Sequence, residues 1–128
     1  MANELVLIVE DNAQNLKLAR DILRAAGFRT LEATTGAEGI ALAAEHRPTV
    51  ILLDLQLPDM GGAEAARLLA ERRETARIPV VALTAFAMAR DRERVISSGF
   101  DGYLEKPISV RDFPAQVRQH LRDHGSRQ

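Results

Sequence analysis

Val50-Ile51-Leu52-Leu53-Asp54 is the stretch on which the fold turns: four consecutive large apolar residues closing on a carboxylate. A strand sends alternate side chains to opposite faces, so a run that is apolar at every position needs both faces covered. Such a run reads as a strand of a parallel sheet with helices on both sides, not as a half-wet hairpin strand. Residues 5–9 and 80–83 repeat the pattern, residues 29–33 are a weaker strand, and residues 101–105 are the fifth strand. The intervals carry helical spacing. Leu16, Ala19, Ile22, Leu23 and Ala26 recur until Gly27, a natural C-terminal stop. Thr35-Gly36-Ala37-Glu38 reads as a capping box opening a helix through Ile40, Ala41 and Ala44, closed by Pro48. Pro58-Asp59-Met60-Gly61-Gly62 is a loop, and the helix after it turns Ala66, Leu69 and Ala70 inward. Residues 87–98 form a helix ended by Gly99, and Ser109 caps a last helix with Phe113, Val117 and Leu121 on one face. The tail after Asp123 is expected to fray.

Five strand–helix units in 128 residues make one α/β domain, with a core over about 4–123. Two open, doubly wound architectures compete. The Rossmann order asks for a glycine-rich turn after the first strand, whereas Glu10-Asp11-Asn12-Ala13-Gln14-Asn15 stands there. The flavodoxin-like (βα)5 order 2-1-3-4-5 makes no such demand and is the expected one. Composition agrees with a soluble domain: 46% hydrophobic, 27% charged, with 17 basic residues against 18 acidic. A net charge of −1 leaves no electrostatic footprint for nucleic acid. The absence of cysteine removes disulfides, thiol catalysis and thiolate metal sites. With no basic leader and no apolar run near ~18 residues, no membrane insertion and a cytoplasmic protein are expected.

In sheets of this kind ligands sit beyond the carboxyl ends of the strands. Those ends hold Glu10-Asp11, Asp54, Thr84-Ala85 and Lys106-Pro107. Three clustered carboxylates raise one another's pKa and cost stability, a conflict that a divalent cation removes. Oxygen ligands with no His or Cys beside them suit Mg²⁺, a hard ion that keeps several waters and shares its shell with phosphate. Each residue also has a bland role. Glu10 and Asp11 could cap the first helix, Thr84 could satisfy backbone at a strand end, and Tyr103 could be core. Asp54 is harder to dismiss, because a carboxylate emerging from an apolar strand needs a partner. Lys106 is one of two lysines in a chain whose other cationic side chains are arginines, so a compact point charge stands there. Convergence at the ends of four strands favours the functional reading. His46, His120 and His124 lie away from this rim, near helix ends or in the tail, and read as solvated surface. Arg90, Arg92, Glu93 and Arg94 read as a solvated helix face, and Phe86 as a partner contact.

The spacing Glu10-Asp11, Asp54, Thr84, Tyr103, Lys106-Pro107 resembles the receiver domain of bacterial two-component response regulators, over about the whole chain. Pro58 and Gly62 in the loop after the acceptor strand, and Ala85 after Thr84, add to the likeness. Within the family, Ile8-Val9-Glu10-Asp11-Asn12, Leu83-Thr84-Ala85-Phe86-Ala87-Met88 and Lys106-Pro107-Ile108-Ser109 look most like single-domain cell-division regulators. Receivers of hybrid histidine kinases are second neighbours.

The resemblance implies that Asp54 accepts a phosphoryl group from a phosphohistidine. Glu10, Asp11, Asp54 and the backbone carbonyl of Gln56 would hold Mg²⁺, or Mn²⁺, and Lys106 would pair with a phosphoryl oxygen. Thr84 and Tyr103 would switch the face made by residues 87–98, the fifth strand and the last helix. Glu10 stands where many receivers have Asp, which lengthens that ligand so that it reaches the metal through water. A histidine kinase or histidine phosphotransferase is the implied donor, and a protein effector the implied reader, because no DNA-binding or enzymatic segment follows the last helix. Self-catalysed phosphorylation and dephosphorylation make it a signalling switch more than an enzyme. The Lys106–Pro107 bond is expected to be cis, which turns the ammonium back over the rim. A haloacid-dehalogenase-type phosphatase wants a second Asp two residues after the nucleophile, where this chain has Gln56. A flavin carrier lacks the aromatic residues to sandwich its ring. The remaining alternatives are a phosphorylation-independent interaction module and a receiver excised from a hybrid kinase.

Overall fold

The computed structural model describes residues 4–84, 99–106 and 108–126, with side chains in the last helix through Leu121. The expected helix over 87–98, the readings of Ala85, Phe86, Met88, Arg90, Arg92, Glu93 and Arg94, and the Lys106–Pro107 bond lie outside those residues.

The chain alternates β1 (Leu5–Val9), α1 (Ala13–Ala25), β2 (Arg29–Ala33), α2 (Gly36–His46), β3 (Val50–Asp54), α3 (Gly62–Glu71), β4 (Val80–Thr84), β5 (Gly102–Glu105) and α4 (Phe113–Ser126). All strand pairs are parallel, in the order β2-β1-β3-β4-β5. The flavodoxin-like order is therefore the one adopted. Register brings the carboxyl ends level: Val9 pairs with Ala33 and Leu53, Asp54 with Leu83, and Thr84 with Glu105.

The apolar strands are covered on both faces. One cluster joins Leu7, Val9, Ile51, Leu53 and Ala82 to Ile40, Ala43, Ala66 and Leu69 of α2 and α3. The other joins Val6, Ile8, Val50, Leu52, Val81 and Leu83 to Ile22, Leu23, Phe113 and Val117 of α1 and α4. Alternate strand residues divide between the two, as the period of two requires. Each large side chain taken out of water contributes about 1.5–3 kcal/mol. No helix among the described residues is long and apolar enough to cross a membrane.

The end signals mostly hold. Gly27 takes φ 98, its N–H bonds to the Arg24 carbonyl and that of Phe28 to the Leu23 carbonyl, both at 3.0 Å, a Schellman stop for α1. Thr35 caps α2 by accepting the Glu38 N–H, but Glu38 reaches back to the N–H of Thr34 at 2.9 Å, one residue before the cap. Ahead of Pro48, Arg47 stops α2 in the left-handed region at φ 47. Ser109 Oγ accepts the Asp112 N–H, opening the turn that leads into α4, and α4 runs on to Ser126 where fraying was expected after Asp123.

Two assignments are corrected, one inward and one outward. Ala70 is exposed, and Ala65 takes a place in the core instead, because α3 rests on the sheet along a narrower stripe than its run of alanines. His120 is not solvated surface; it is half-buried, its ring lying against Gly102, where a Cβ would meet Nδ1 at 2.7 Å. His46 is exposed, as expected.

Candidate functional site

The chain leaves β1 through Glu10, whose N–H still bonds to the Ala33 carbonyl at 2.9 Å and so keeps the residue in line with the sheet. Its side chain is buried, at 1% exposure, while Asp11 beside it is exposed. Neither acid caps α1. Asn12 does so, accepting the Asn15 N–H at 2.9 Å, which leaves both carboxylates to the rim. Glu10 Oε2 accepts the Asn12 N–H at 3.1 Å. Among the described residues Glu10 Oε1 has no well-aligned hydrogen-bond donor, and the Lys106 ammonium lies 2.7 Å from it.

Asp54 ends β3 at 6% exposure. Its Oδ1 accepts the Gln56 N–H at 3.2 Å and its Oδ2 lies 3.2 Å from Lys106 Nζ. The Lys106 N–H bonds to the Thr84 carbonyl at 2.8 Å, so the chain stays attached to β4 as it leaves β5 and the ammonium swings over the rim. Thr84 is itself buried, at 3% exposure. Glu10, Asp11, Asn12, Asn15, Asp54, Gln56, Pro58, Thr84 and Lys106 surround one cleft of about 400 Å³, with Leu55 and Leu57 completing its wall.

Burial pushes the Glu10 carboxyl above the usual carboxylate range; the Lys106 ammonium pulls it down and the neighbouring Asp54 pushes it up again. Burial alone would lower the Lys106 ammonium, but its pairs with Glu10 and Asp54 outweigh that, and it is raised. One ammonium thus serves two carboxylates, with a third acid, Asp11, in the same cluster. Oxygen atoms of Glu10, Asp11 and Asp54 lie within 4.8 Å of one another. An all-oxygen set of that size, one member of which is a buried oxygen short of donors, fits a hard divalent cation such as Mg²⁺.

Of the residues singled out from the sequence, Glu10, Asp11, Asp54, Gln56, Thr84 and Lys106 are brought into this cleft. Tyr103 is not among its lining residues: it is half-buried, packs against the cluster under α2 and α3, and faces a separate depression with Glu105, Ser109 and Gln116. Asn15 and Leu57 were not foreseen in the cleft. Asn15 falls on the first turn of α1, a place that the cap at Asn12 could have signalled.

Comparison with known proteins bears on this geometry. The family model described as the response regulator receiver domain matches residues 6–118. The polar-differentiation response regulator DivK of Brucella anthropi is 46% identical over 118 residues, 92% of this chain and 96% of that protein. The receiver domain of the sensor histidine kinase PA1611 from Pseudomonas aeruginosa, solved with a magnesium ion coordinated in its active site cleft, is 32% identical, with a TM-score of 0.81 over 95% of this chain and 97% of that one. The chemotaxis response regulator CheY4 of Vibrio cholerae, at 24% identity, shares the fold with a TM-score of 0.87 over 93% of this chain and 99% of its own.

Proposed function

Because the chain belongs to the response regulator receiver domain family of two-component signalling, we propose that Asp54 is its phosphoryl acceptor and that residues 1–128 form one receiver switched by that modification. The observation that carries the reading is the setting of Asp54: an almost buried carboxylate at a strand end, with one oxygen on the Gln56 N–H and the other beside Lys106, opening into a cleft edged by two more acids.

In the proposed reaction a carboxylate oxygen of Asp54 attacks the phosphorus of a partner's phosphohistidine in line. The P–N bond breaks, the bond pair leaves with the imidazole, which takes a proton, and an aspartyl phosphate results. The Gln56 N–H orients the attacking carboxylate. Lys106, already charged and within reach, moves its ammonium from Asp54 to a phosphoryl oxygen. Thr84, one residue beyond Leu83, the register partner of Asp54, and lining the same cleft, donates its hydroxyl to the phosphoryl group. Glu10, Asp11, Asp54 and the Gln56 carbonyl would hold Mg²⁺ or Mn²⁺, which neutralises charge developing on the phosphoryl oxygens.

Output would pass through β5, α4 and residues 87–98. Movement of Thr84 toward the phosphoryl group makes room for Tyr103 to turn inward, a population shift driven by the contacts of the modified state. A histidine kinase or histidine phosphotransferase is the proposed donor, acting in the cytoplasm, and a protein the proposed reader. The likeness to the PA1611 receiver supports a second reading, a receiver working as part of a histidine kinase. Incubation with acetyl phosphate and Mg²⁺, followed by intact mass, tests the acceptor assignment: one phosphoryl group should be gained, and an unchanged mass would favour a phosphorylation-independent interaction module.

A further inference from the structure

The loop between β3 and α3 forms one lip of the cleft, through Leu55, Gln56, Leu57 and Pro58. Its two ends are closed on each other: Gln56 bridges Gly61, and the Gly62 N–H bonds to the Leu55 carbonyl at 2.9 Å. Its crest is held from outside. Asp59 reaches to the start of α2, where Oδ1 accepts the Gly36 N–H at 2.8 Å and Oδ2 the Ala37 N–H at 2.9 Å. Met60 packs onto the bare face of Gly36, where a Cβ would meet its Cγ at 2.6 Å. The next amide of α2, that of Glu38, belongs to Thr35, the helix's own cap. The helix start is thus capped by two side chains, one of them supplied by the lip of the acceptor cleft. Asp59 is exposed, yet both its oxygens are fixed, and the Ala37 and Gly36 amides hold its carboxyl below the usual range.

We infer that Asp59 is a positioning residue for the acceptor site: by clamping the crest of the loop to α2 it sets the place of Gln56, whose N–H holds Asp54 and whose carbonyl is offered to the cation. The inference deepens the function proposed above and rests on it. A hard octahedral ion tolerates little error in its ligands, and a backbone carbonyl can be aimed only by fixing the loop that bears it. With Leu55 and Gly62 holding the base of the loop, the bidentate Asp59 clamp and the Met60 contact fix its top. A helix cap with no influence on the site is the competing role. The two roles separate because Thr35 caps the same helix without belonging to the loop.

The experiment compares wild type, Asp59→Ala, Asp59→Asn and Thr35→Ala in two readouts: amide NMR during Mg²⁺ titration, and the rate of phosphoryl gain from acetyl phosphate. Expected for Asp59→Ala are a shifted Gln56 amide before any Mg²⁺ is added, a Mg²⁺ dissociation constant raised roughly 10-fold, and slower phosphoryl gain. Asp59→Asn keeps one acceptor and should fall between Asp59→Ala and wild type, and it carries the test if the Ala variant does not fold. Thr35→Ala should lower the melting temperature and leave Mg²⁺ affinity unchanged. Equal melting losses in Asp59→Ala and Thr35→Ala, with the Gln56 amide and Mg²⁺ affinity as in wild type, would overturn the inference alone. A wild-type chain that neither binds Mg²⁺ nor gains a phosphoryl group would overturn it together with the proposed function.

Discussion

Lys106 carries its ammonium to 2.7 Å from Oε1 of Glu10, joining the segment after β5 to the end of β1 across the two strands between them. The carboxylate it reaches is 1% exposed. Removing one partner of a buried pair leaves an uncompensated charge, at a cost of about 3–5 kcal/mol. The acidic rim is therefore completed only when the far edge of the sheet is in place, and its cation is a side chain that the proposed chemistry must release.

A pH dependence follows from this pair. Glu10 is raised above its usual 4.5, so its contribution to stability is full below that pH and is lost as pH rises through the folded value. Lys106 is raised above its usual 10.5, so its contribution persists to that pH and is lost only beyond it. In chelator, the melting temperature of wild type relative to Glu10→Gln should fall as pH rises from about 4.5 and then level off. A parallel pair of melting curves across that range would show that Glu10 titrates as it does in the unfolded chain.

Added Mg²⁺ should oppose that loss. A ligand at tenfold its dissociation constant stabilises the folded state by about 1.4 kcal/mol, by mass action. The melting temperature should rise with Mg²⁺ at neutral pH, and the rise should shrink in Asp11→Asn, which removes an exposed acid and leaves the core intact. Identical curves in Mg²⁺ and chelator would remove the cation from the proposed mechanism.

Asp54→Asn should abolish phosphoryl gain from acetyl phosphate while the protein stays folded, because Asn keeps the shape and can still accept the Gln56 N–H. Intact mass and far-ultraviolet circular dichroism check the two halves of the statement. A stable mass gain in the Asn variant would move the acceptor to another acid of the cleft.

Two adjacent glycines should respond in opposite ways. A Cβ at Gly62 would meet Leu55 Cα at 2.8 Å, so Gly62→Ala must push backbone apart beside Asp54 and should cost about 1–3 kcal/mol. Gly61 has open space and caps α3 in the extended region at φ −72 with no side-chain bond, so Gly61→Ser should stabilise by about 0.5–1 kcal/mol. Urea unfolding of the two variants reads both signs, and a destabilised Gly61→Ser would show that the bare cap is needed.

The sheet and the address of the site were legible in local runs of residues. Runs such as Val50–Leu53 leave no polar face, so the strands had to be parallel and covered, and the missing glycine turn after β1 decided between the two strand orders. Once that order was set, Glu10, Asp11, Asp54, Thr84 and Lys106 shared one rim, because residues at strand ends are placed by topology alone. Tertiary structure decided what those groups do to one another. That Asn12 and not an acid caps α1, that Lys106 chooses Glu10 as well as Asp54, that Asp59 serves a helix which precedes it in the chain, and that His120 folds over Gly102 are contacts between elements remote in sequence. Ala70 shows the same limit in the core, since helical spacing names a face but not the width of the stripe the sheet will cover. Local patterns carry the period of an element; which side chains meet across the gap is fixed only when register and packing bring the elements together.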